Sequence, residues 1–273
     1  MQRNSVTYIL GFCAVICLIC SVIVSGSAVG LKERQEVNKV LDRQKKVLSV
    51  AGLMKEGDML QPAEIQTLFG KRIRAVVVNL ETGNIDEEAT KTVATYDQQK
   101  AKKDPAVSKS APKNLAGVQR IPNKAVVYQV SKNEMGEDGS GFELTQYIFP
   151  VEGKGLWSTL YGFVAMAPDC NQIKGLTFYA HLETPGLGGE VDNPKWKAKW
   201  PGKLAFGALG SDPKSWDKVK IAVLKSGGDG KDHAVDGLSG ATITGNGVTY
   251  LLRFWLGDDG FGPYIQNVAV RPS

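Results

Sequence analysis

One uncharged stretch, Thr7 to Val29, constrains the fold of this chain more than any other feature. It reads TYILGFCAVICLICSVIVSGSAV. Its 23 residues, at about 1.5 Å each, form a helix of roughly 35 Å, enough to cross a hydrocarbon layer of about 30 Å. We therefore predict a single membrane-spanning anchor in residues 1–30, followed by one soluble domain in residues 31–273.

A cleaved signal peptide is the alternative explanation for this stretch. Gly26 and Ala28 are small residues of the kind that precede a cleavage site. However, the apolar run exceeds the usual length of a signal core, and Arg3 is the only charged side chain before it. Both features favour a helix that stays in the membrane.

Three cysteines in the apolar run share one helix face. Cys13, Cys17 and Cys20 are spaced at i, i+4 and i+7. At membrane depth we interpret them as small side chains that face a partner helix, with metal binding as the alternative. The soluble part contains only Cys170, so no disulfide framework is expected there.

Charge near the membrane bears on which side the soluble domain occupies. Six basic residues follow the span: Lys32, Arg34, Lys39, Arg43, Lys45 and Lys46. The positive-inside rule would place the domain in the cytoplasm, but that rule loses force for long domains. Charge alone therefore favours a cytoplasmic domain only weakly.

A second basic stretch, residues 98–124, contributes much of the net charge of +5. Its basic residues, set against the single acid Asp104, are Lys100, Lys102, Lys103, Lys109, Lys113, Arg120 and Lys124. The stretch contains no aromatic side chain, which argues against nucleic-acid binding. It also has three prolines and no apolar period, so we predict an exposed insertion or linker.

The rest of the chain alternates short apolar runs with turns. With 42% hydrophobic and 22% charged residues, it has the composition of a folded globular protein. KAVVYQVS is typical of a strand, and IRAVVVNLETG and IKGLTFYAHLETPGLGGEV are each typical of a strand followed by a turn. Helices are predicted in residues 31–53, in residues 61–69 and after Asn246. The last of these has an apolar face made of Val248, Leu251, Leu252 and Trp255. This order predicts an α+β domain, a mainly antiparallel sheet with flanking helices.

Several catalytic motifs are incomplete in this chain. PGLGGEV has Val191 where a dinucleotide fingerprint needs its third glycine, and GLSGA has Ala241 where a nucleophile elbow needs glycine. The two histidines, His181 and His233, are not part of a spacing typical of a metal site. We therefore expect no catalytic residue and no resident metal.

The most unusual stretch is DGLSGATITGNGV, residues 236–248. It places the hydroxyls of Ser239, Thr242 and Thr244 on a glycine-rich turn directly before an apolar helix. Glycine turns and helix N-termini present free backbone N–H groups, which bind phosphate. From the residues alone, the stretch is either a phosphate site or an ordinary capped turn.

The same stretch resembles a known modification motif. DGLSGATIT is similar to the covalent flavin attachment motif Asp-x-x-Ser-Gly-Ala-Thr of the Nqr and Rnf families. In those families the last threonine of the motif carries FMN through a phosphoester bond, which implies Thr242 here, with Thr244 as the near alternative. GKGLWSTLYGFVA, HLETPGLGGEV and NGVTYLLRFWLGDDGFGPYI resemble, in the same order, signatures of the C-subunit family of sodium-translocating NADH:quinone oxidoreductases. The G subunit of Rnf shares the attachment motif, but the C-terminal stretch is more similar to the Nqr family.

The resemblance implies an electron-relaying flavoprotein subunit of a sodium-pumping NADH:quinone oxidoreductase in the bacterial inner membrane. It implies the other membrane subunits as partners, a flavin transferase during maturation, and a soluble domain on the periplasmic side, against the charge count. Two alternatives stay open, namely an Rnf-type G subunit and a flavin-free, membrane-anchored binding module.

The resemblance also implies which residues surround the cofactor. Thr242 would carry the FMN. The other expected contacts are Ser239, Gly240, Ala241, Thr244, Glu183, Thr184, Leu187 and Gly188. Asp236 is expected to help bind a metal while the flavin is being attached.

Overall fold

The structure of the chain, a computed structural model, describes residues 5–55, 57–136, 138–207 and 218–269. The chain divides into two compact units, Met1–Arg43 and Gln44–Ser273. Helix α1, Val6–Val50, begins in the first unit and ends in the second. The amphipathic helix that we predicted in residues 31–53 is thus the continuation of the apolar helix, and its last two turns, residues 44–50, belong to the second unit.

The first unit is dominated by the apolar part of α1. Its most apolar window of 18 residues has a mean hydropathy of 2.7, and none of that window is buried. The helix is therefore long and apolar enough to cross a membrane. Cys13, Cys17 and Cys20 are exposed along it.

The second unit is built on a five-stranded antiparallel sheet. The strands in the described part of the chain are β1 (Ile73–Asn79), β2 (Ser108–Ser110), β3 (Arg120–Pro122), β4 (Lys124–Ser131), β5 (Leu144–Lys154), β6 (Thr159–Met166), β7 (Ile173–Ala180), β8 (Ala222–Leu224) and β9 (Ala234–Asp236). The main sheet has the order β1–β4–β5–β6–β7, and each strand is antiparallel to its neighbour. β2 pairs with β3 in antiparallel fashion, whereas β8 and β9 are parallel.

Short helices flank this sheet. They are α2 (Pro62–Arg72), α3 (Glu87–Lys91), α4 (Gln98–Lys103), α5 (Pro194–Lys197), α6 (Thr242–Leu256) and α7 (Gly262–Val268). The predicted fold class is confirmed: an α+β domain with a mainly antiparallel sheet and flanking helices, preceded by one long apolar helix.

Helix α6 packs against β5 and supplies much of the core. Its predicted apolar face is fully buried, with no exposed surface on Val248, Leu251, Leu252 and Trp255. The indole N–H of Trp255 donates a hydrogen bond of 2.7 Å to the carbonyl of Glu152 in β5. The packing and this hydrogen bond together hold α6, and therefore the turn before it, in one position on the sheet.

The basic segment 98–124 is folded, so our interpretation of it as a linker is wrong. It forms α4, β2 and β3, and it contributes Ala116, Val118 and Ile121 to the core. Lys102 pairs with the buried carboxylate of Glu152, while most of the other lysines stay exposed. The apolar residues of the segment are few and irregularly spaced, so they follow neither the strand period nor the helix period.

Candidate functional site

The glycine-rich turn leads directly into α6, which begins at Thr242. Gly240 adopts a φ of +69°, and a Cβ at this position would lie 2.9 Å from Cδ2 of Leu187, so the turn requires glycine. The N-cap residue, Ala241, provides no side-chain hydrogen bond to the helix. The backbone N–H groups of the first turn have no intrahelical acceptors, which makes this helix end suited to an anion.

The two threonines of the motif face opposite environments. Thr242 and Ser239 are exposed. Thr244 is only 1% exposed, and its hydroxyl donates a hydrogen bond of 2.6 Å to Oε2 of Glu183. Of these two threonines, only Thr242 presents its hydroxyl to solvent at the start of α6.

Glu183 has a buried carboxylate that accepts five hydrogen bonds. The donors, besides Thr244, are the backbone N–H groups of Leu156 (3.1 Å), Trp157 (2.9 Å) and Ser158 (3.0 Å) and the hydroxyl of Ser158 (3.3 Å). Burial alone would raise the pKa of the Glu183 carboxyl, but the hydrogen bonds, led by that from Thr244, hold its pKa below the ordinary value. Glu183 is therefore ionised at neutral pH and bound within the protein.

The loop that follows Glu183 brings the two sequence motifs into contact. A Cβ on Gly188 would lie 2.6 Å from the Thr244 hydroxyl oxygen and 2.7 Å from Oε2 of Glu183. Leu187 reaches Gly240, as noted above, and is 45% exposed. Thr184 is exposed, and its carbonyl accepts hydrogen bonds within the loop. The expected site residues thus lie close together. Glu183 and Thr244 are the buried side chains of this group, and they hold its exposed residues in place through hydrogen bonds.

Asp236 lies at the end of β9, just before the motif turn. Its carboxylate accepts a hydrogen bond of 2.6 Å from the backbone N–H of Gly228, and its carbonyl accepts one of 2.9 Å from Trp196. Within the described ranges, no group of His, Cys, Asp and Glu side chains is arranged to hold a metal ion. Among the described residues, Asp236 is therefore not part of a cluster of three or more such ligands, although the Asp229 carboxylate accepts a hydrogen bond of 2.7 Å from its backbone N–H.

The loop at residues 155–158 lies against Glu183 but was not among the expected site residues. Gly155 lies against Glu183, since a Cβ there would be 2.6 Å from Oε1. Beyond it, the side chains of Leu156 and Trp157 are 43% and 72% exposed. The sequence signal that could have identified this loop is a tryptophan shortly after two closely spaced glycines, Gly153 and Gly155.

Comparison with known proteins decides the family. Residues 155–257 match the FMN-binding domain. The C subunit of the Na(+)-translocating NADH-quinone reductase of Vibrio campbellii is 42% identical over 272 residues, which cover 98% of this chain and 97% of that protein. The protein of the same name from Pseudomonas aeruginosa is 43% identical over 273 residues, with the same two coverages. This chain belongs to the C-subunit family of Na(+)-translocating NADH-quinone reductases.

Solved structures of the C-subunit family share the fold. NqrC of Shewanella oneidensis superimposes with a TM-score of 0.69 at 35% identity, covering 82% of this chain and 95% of that one. The C subunit of the Na(+)-translocating NADH-quinone reductase from Parabacteroides distasonis gives a TM-score of 0.59 at 26% identity, covering 89% and 98%. Within this chain, the match to the FMN-binding domain contains the whole cluster around Glu183, Thr242 and Thr244. The relatives and solved structures named here are all C subunits of Nqr, so the chain is placed in the Nqr family.

Proposed function

We propose that this chain carries FMN and relays electrons within a sodium-translocating NADH:quinone oxidoreductase, with the FMN bound covalently to Thr242 through its phosphate. The observation that carries the proposal is the exposed hydroxyl of Thr242 at the uncapped first turn of α6, inside the region that matches the FMN-binding domain. The other membrane subunits of the complex are its partners in electron transfer.

The residues around Thr242 fit a phosphate-linked group. The backbone N–H groups of the first helical turn point away from the helix without intrahelical acceptors, and Ala241 places no side-chain oxygen over them. Ser239 adds an exposed hydroxyl, and Gly240 adds no side chain. These residues would hold the phosphate, whereas Thr184, Leu187 and Gly188 are the nearest candidates for contact with the rest of the cofactor.

Each part of this site has a definite physical task. FMN, when bound, supplies the redox chemistry, and the protein supplies position and electrostatics. Thr242 provides the oxygen of the ester bond. The N–H groups of the first turn offset the remaining phosphate charge, an effect of about 0.3–1 kcal/mol at an exposed helix N-terminus. Because the link is covalent, the cofactor stays in place without a deep pocket, which leaves part of it accessible to partner proteins.

Maturation and location complete the proposal. A flavin transferase transfers the FMN unit from a flavin dinucleotide: the Thr242 oxygen bonds to the flavin phosphate, the pyrophosphate bond breaks, the nucleoside monophosphate leaves, and the hydroxyl proton is released. Asp236, close to the motif turn, contributes one carboxylate to a metal used by the transferase. The apolar part of α1 anchors the chain in the inner membrane, and the domain lies on the periplasmic side. The six basic residues after the span oppose this orientation, but long domains cross membranes with little regard to such charges.

The covalent link is tested by denaturation. The full-length chain is produced together with the flavin transferase, precipitated in acid, washed and redissolved in denaturant. We expect the wild-type protein to remain yellow and to carry the added flavin in its intact mass, and Thr242→Ala to be colourless and unmodified. A colourless wild-type protein would instead support the flavin-free binding module.

A further inference from the structure

We propose that Glu183 is a positioning residue for flavin attachment: by holding Thr244 inward, it turns Thr242 outward for modification. The inference rests on the proposed attachment at Thr242. Successive residues of an α-helix are about 100° apart around its axis, so residues 242 and 244 are separated by roughly 200°. Fixing one of these threonines toward the domain therefore points the other one to solvent.

The carboxylate of Glu183 is bound tightly enough to perform this task. It is 5% exposed, and a charge buried to this extent is costly unless it is hydrogen-bonded. All five of its donors are neutral groups, three backbone N–H groups and two hydroxyls. Hydrogen bonds to an ionised acceptor are roughly twice as strong as those between neutral groups, so the carboxylate joins the loop at residues 155–158 firmly to the first turn of α6.

The surrounding glycines make room for this carboxylate. A Cβ on Gly155 would lie 2.6 Å from Oε1, and a Cβ on Gly188 would lie 2.7 Å from Oε2. These two residues come from different loops, one on either side of the carboxylate. Two independent close approaches indicate that the site is built around Glu183, and that the acid is not an incidental buried residue.

A further hydrogen bond ties the loop at residues 155–158 to the residue before Glu183. Leu182 is 84% exposed, and its backbone N–H donates a hydrogen bond of 2.8 Å to the Ser158 hydroxyl. Ile243, next to Thr242, is 57% exposed. Loss of the Glu183 contacts would therefore loosen the loop at residues 155–158 and the start of α6 together.

Three variants of the full-length chain test the role of Glu183: Thr244→Val, Thr244→Ser and Glu183→Gln. Thr249→Val is the matched control, because Thr249 is also a buried threonine of α6, and its hydroxyl oxygen accepts a hydrogen bond of 2.8 Å from Val223. Each protein is co-produced with the flavin transferase, and intact mass gives the initial rate of flavin attachment. Hydrogen exchange of residues 155–158 is measured on the same proteins without flavin.

We expect Thr244→Val and Glu183→Gln to slow attachment by about tenfold, equivalent to about 1.4 kcal/mol, and to speed hydrogen exchange in residues 155–158. Thr244→Ser should restore both to the wild-type values, and Thr249→Val should change neither. If Thr244→Val keeps the wild-type rates of flavin attachment and of hydrogen exchange in residues 155–158, the inference is overturned. This result is decisive even if Glu183→Gln does not fold. A wild-type protein that acquires no flavin would overturn the proposed function instead, and hydrogen exchange would still decide the role of Glu183.

Discussion

At the scale of single residues, the central electrostatic feature is the buried carboxylate of Glu183, which accepts hydrogen bonds from neutral donors. Because the hydrogen bonds hold the pKa of Glu183 below its ordinary value of 4.5, the ionised form favours the folded state. This contribution to stability is fully present above pH 4.5 and is lost as the pH falls through the folded-state pKa. Acid should therefore weaken the link between α6 and the loop at residues 155–158.

Thr244→Val tests this electrostatic account. Removing a hydrogen bond to a charged group should lower the free energy of unfolding by about 1.5–3 kcal/mol at pH 7. The difference from the wild type should shrink below pH 4.5, since protonation of Glu183 weakens the bond in the wild type alone. Urea unfolding at pH 7 and at a series of lower pH values measures the difference, and a difference that stays constant down to the pH of acid unfolding would contradict the account.

The sequence predicted the motif but could not separate its two threonines. Both lie on the same polar turn, and resemblance favoured Thr242 with Thr244 as the near alternative. The distinction depends on Glu183, which is 61 residues away from Thr244 in the chain and meets it only through the fold. The resemblance implied Glu183 as a cofactor contact, which stays a prediction; the fold adds that its carboxylate accepts five hydrogen bonds from the protein.

At the scale of elements, α6 is held unusually close to the end of β5. A Cβ on Gly247 would lie 2.4 Å from the carbonyl oxygen of Lys154, so the helix passes over the strand at a distance that only glycine permits. The start of α6 and the loop at residues 155–158 are brought together by this contact as well as by Glu183.

Gly247→Ala should therefore destabilise the domain. Alanine normally stabilises a helix relative to glycine by about 1 kcal/mol, but here the clash should reverse the sign and cost about 1–3 kcal/mol. Asn246→Ala is the control, because Asn246 is the neighbouring residue of the same helix and is exposed; it should change stability by less than about 0.7 kcal/mol. Thermal and urea unfolding compare the two variants. A stabilised Gly247→Ala protein would show that the contact is not tight.

Periodic patterns predicted the elements that have one buried face. The spacing of Val248, Leu251, Leu252 and Trp255 predicted α6, and the apolar runs predicted the central strands. The segment 98–124 escaped prediction because it is held by a few irregular apolar residues and by the pairing of Lys102 with Glu152. Glu152 lies in β5, which is distant in the sequence, so no local sequence pattern predicts this contact.

At the scale of the whole molecule, the positive-inside rule opposes the periplasmic orientation that we propose for the domain. Leu115, in the folded segment 98–124, is 74% exposed, so Leu115→Cys offers a labelling site. The native cysteines are replaced first, and a membrane-impermeant maleimide is added to intact spheroplasts. We expect Leu115→Cys to be labelled without lysis, and a control cysteine before the span, Gln2→Cys, to be labelled only after lysis. The reverse pattern would mean that the basic residues after the span determine the topology.

The most direct test of the account is to locate the flavin on the chain. The full-length wild-type protein, produced with the flavin transferase, is digested, and the yellow peptide that contains the motif is fragmented in the mass spectrometer. We predict that the added flavin mononucleotide lies on Thr242, whose hydroxyl is exposed, and not on Thr244, whose hydroxyl is held by Glu183. Flavin on Thr244, or on a residue outside the motif, would contradict the account.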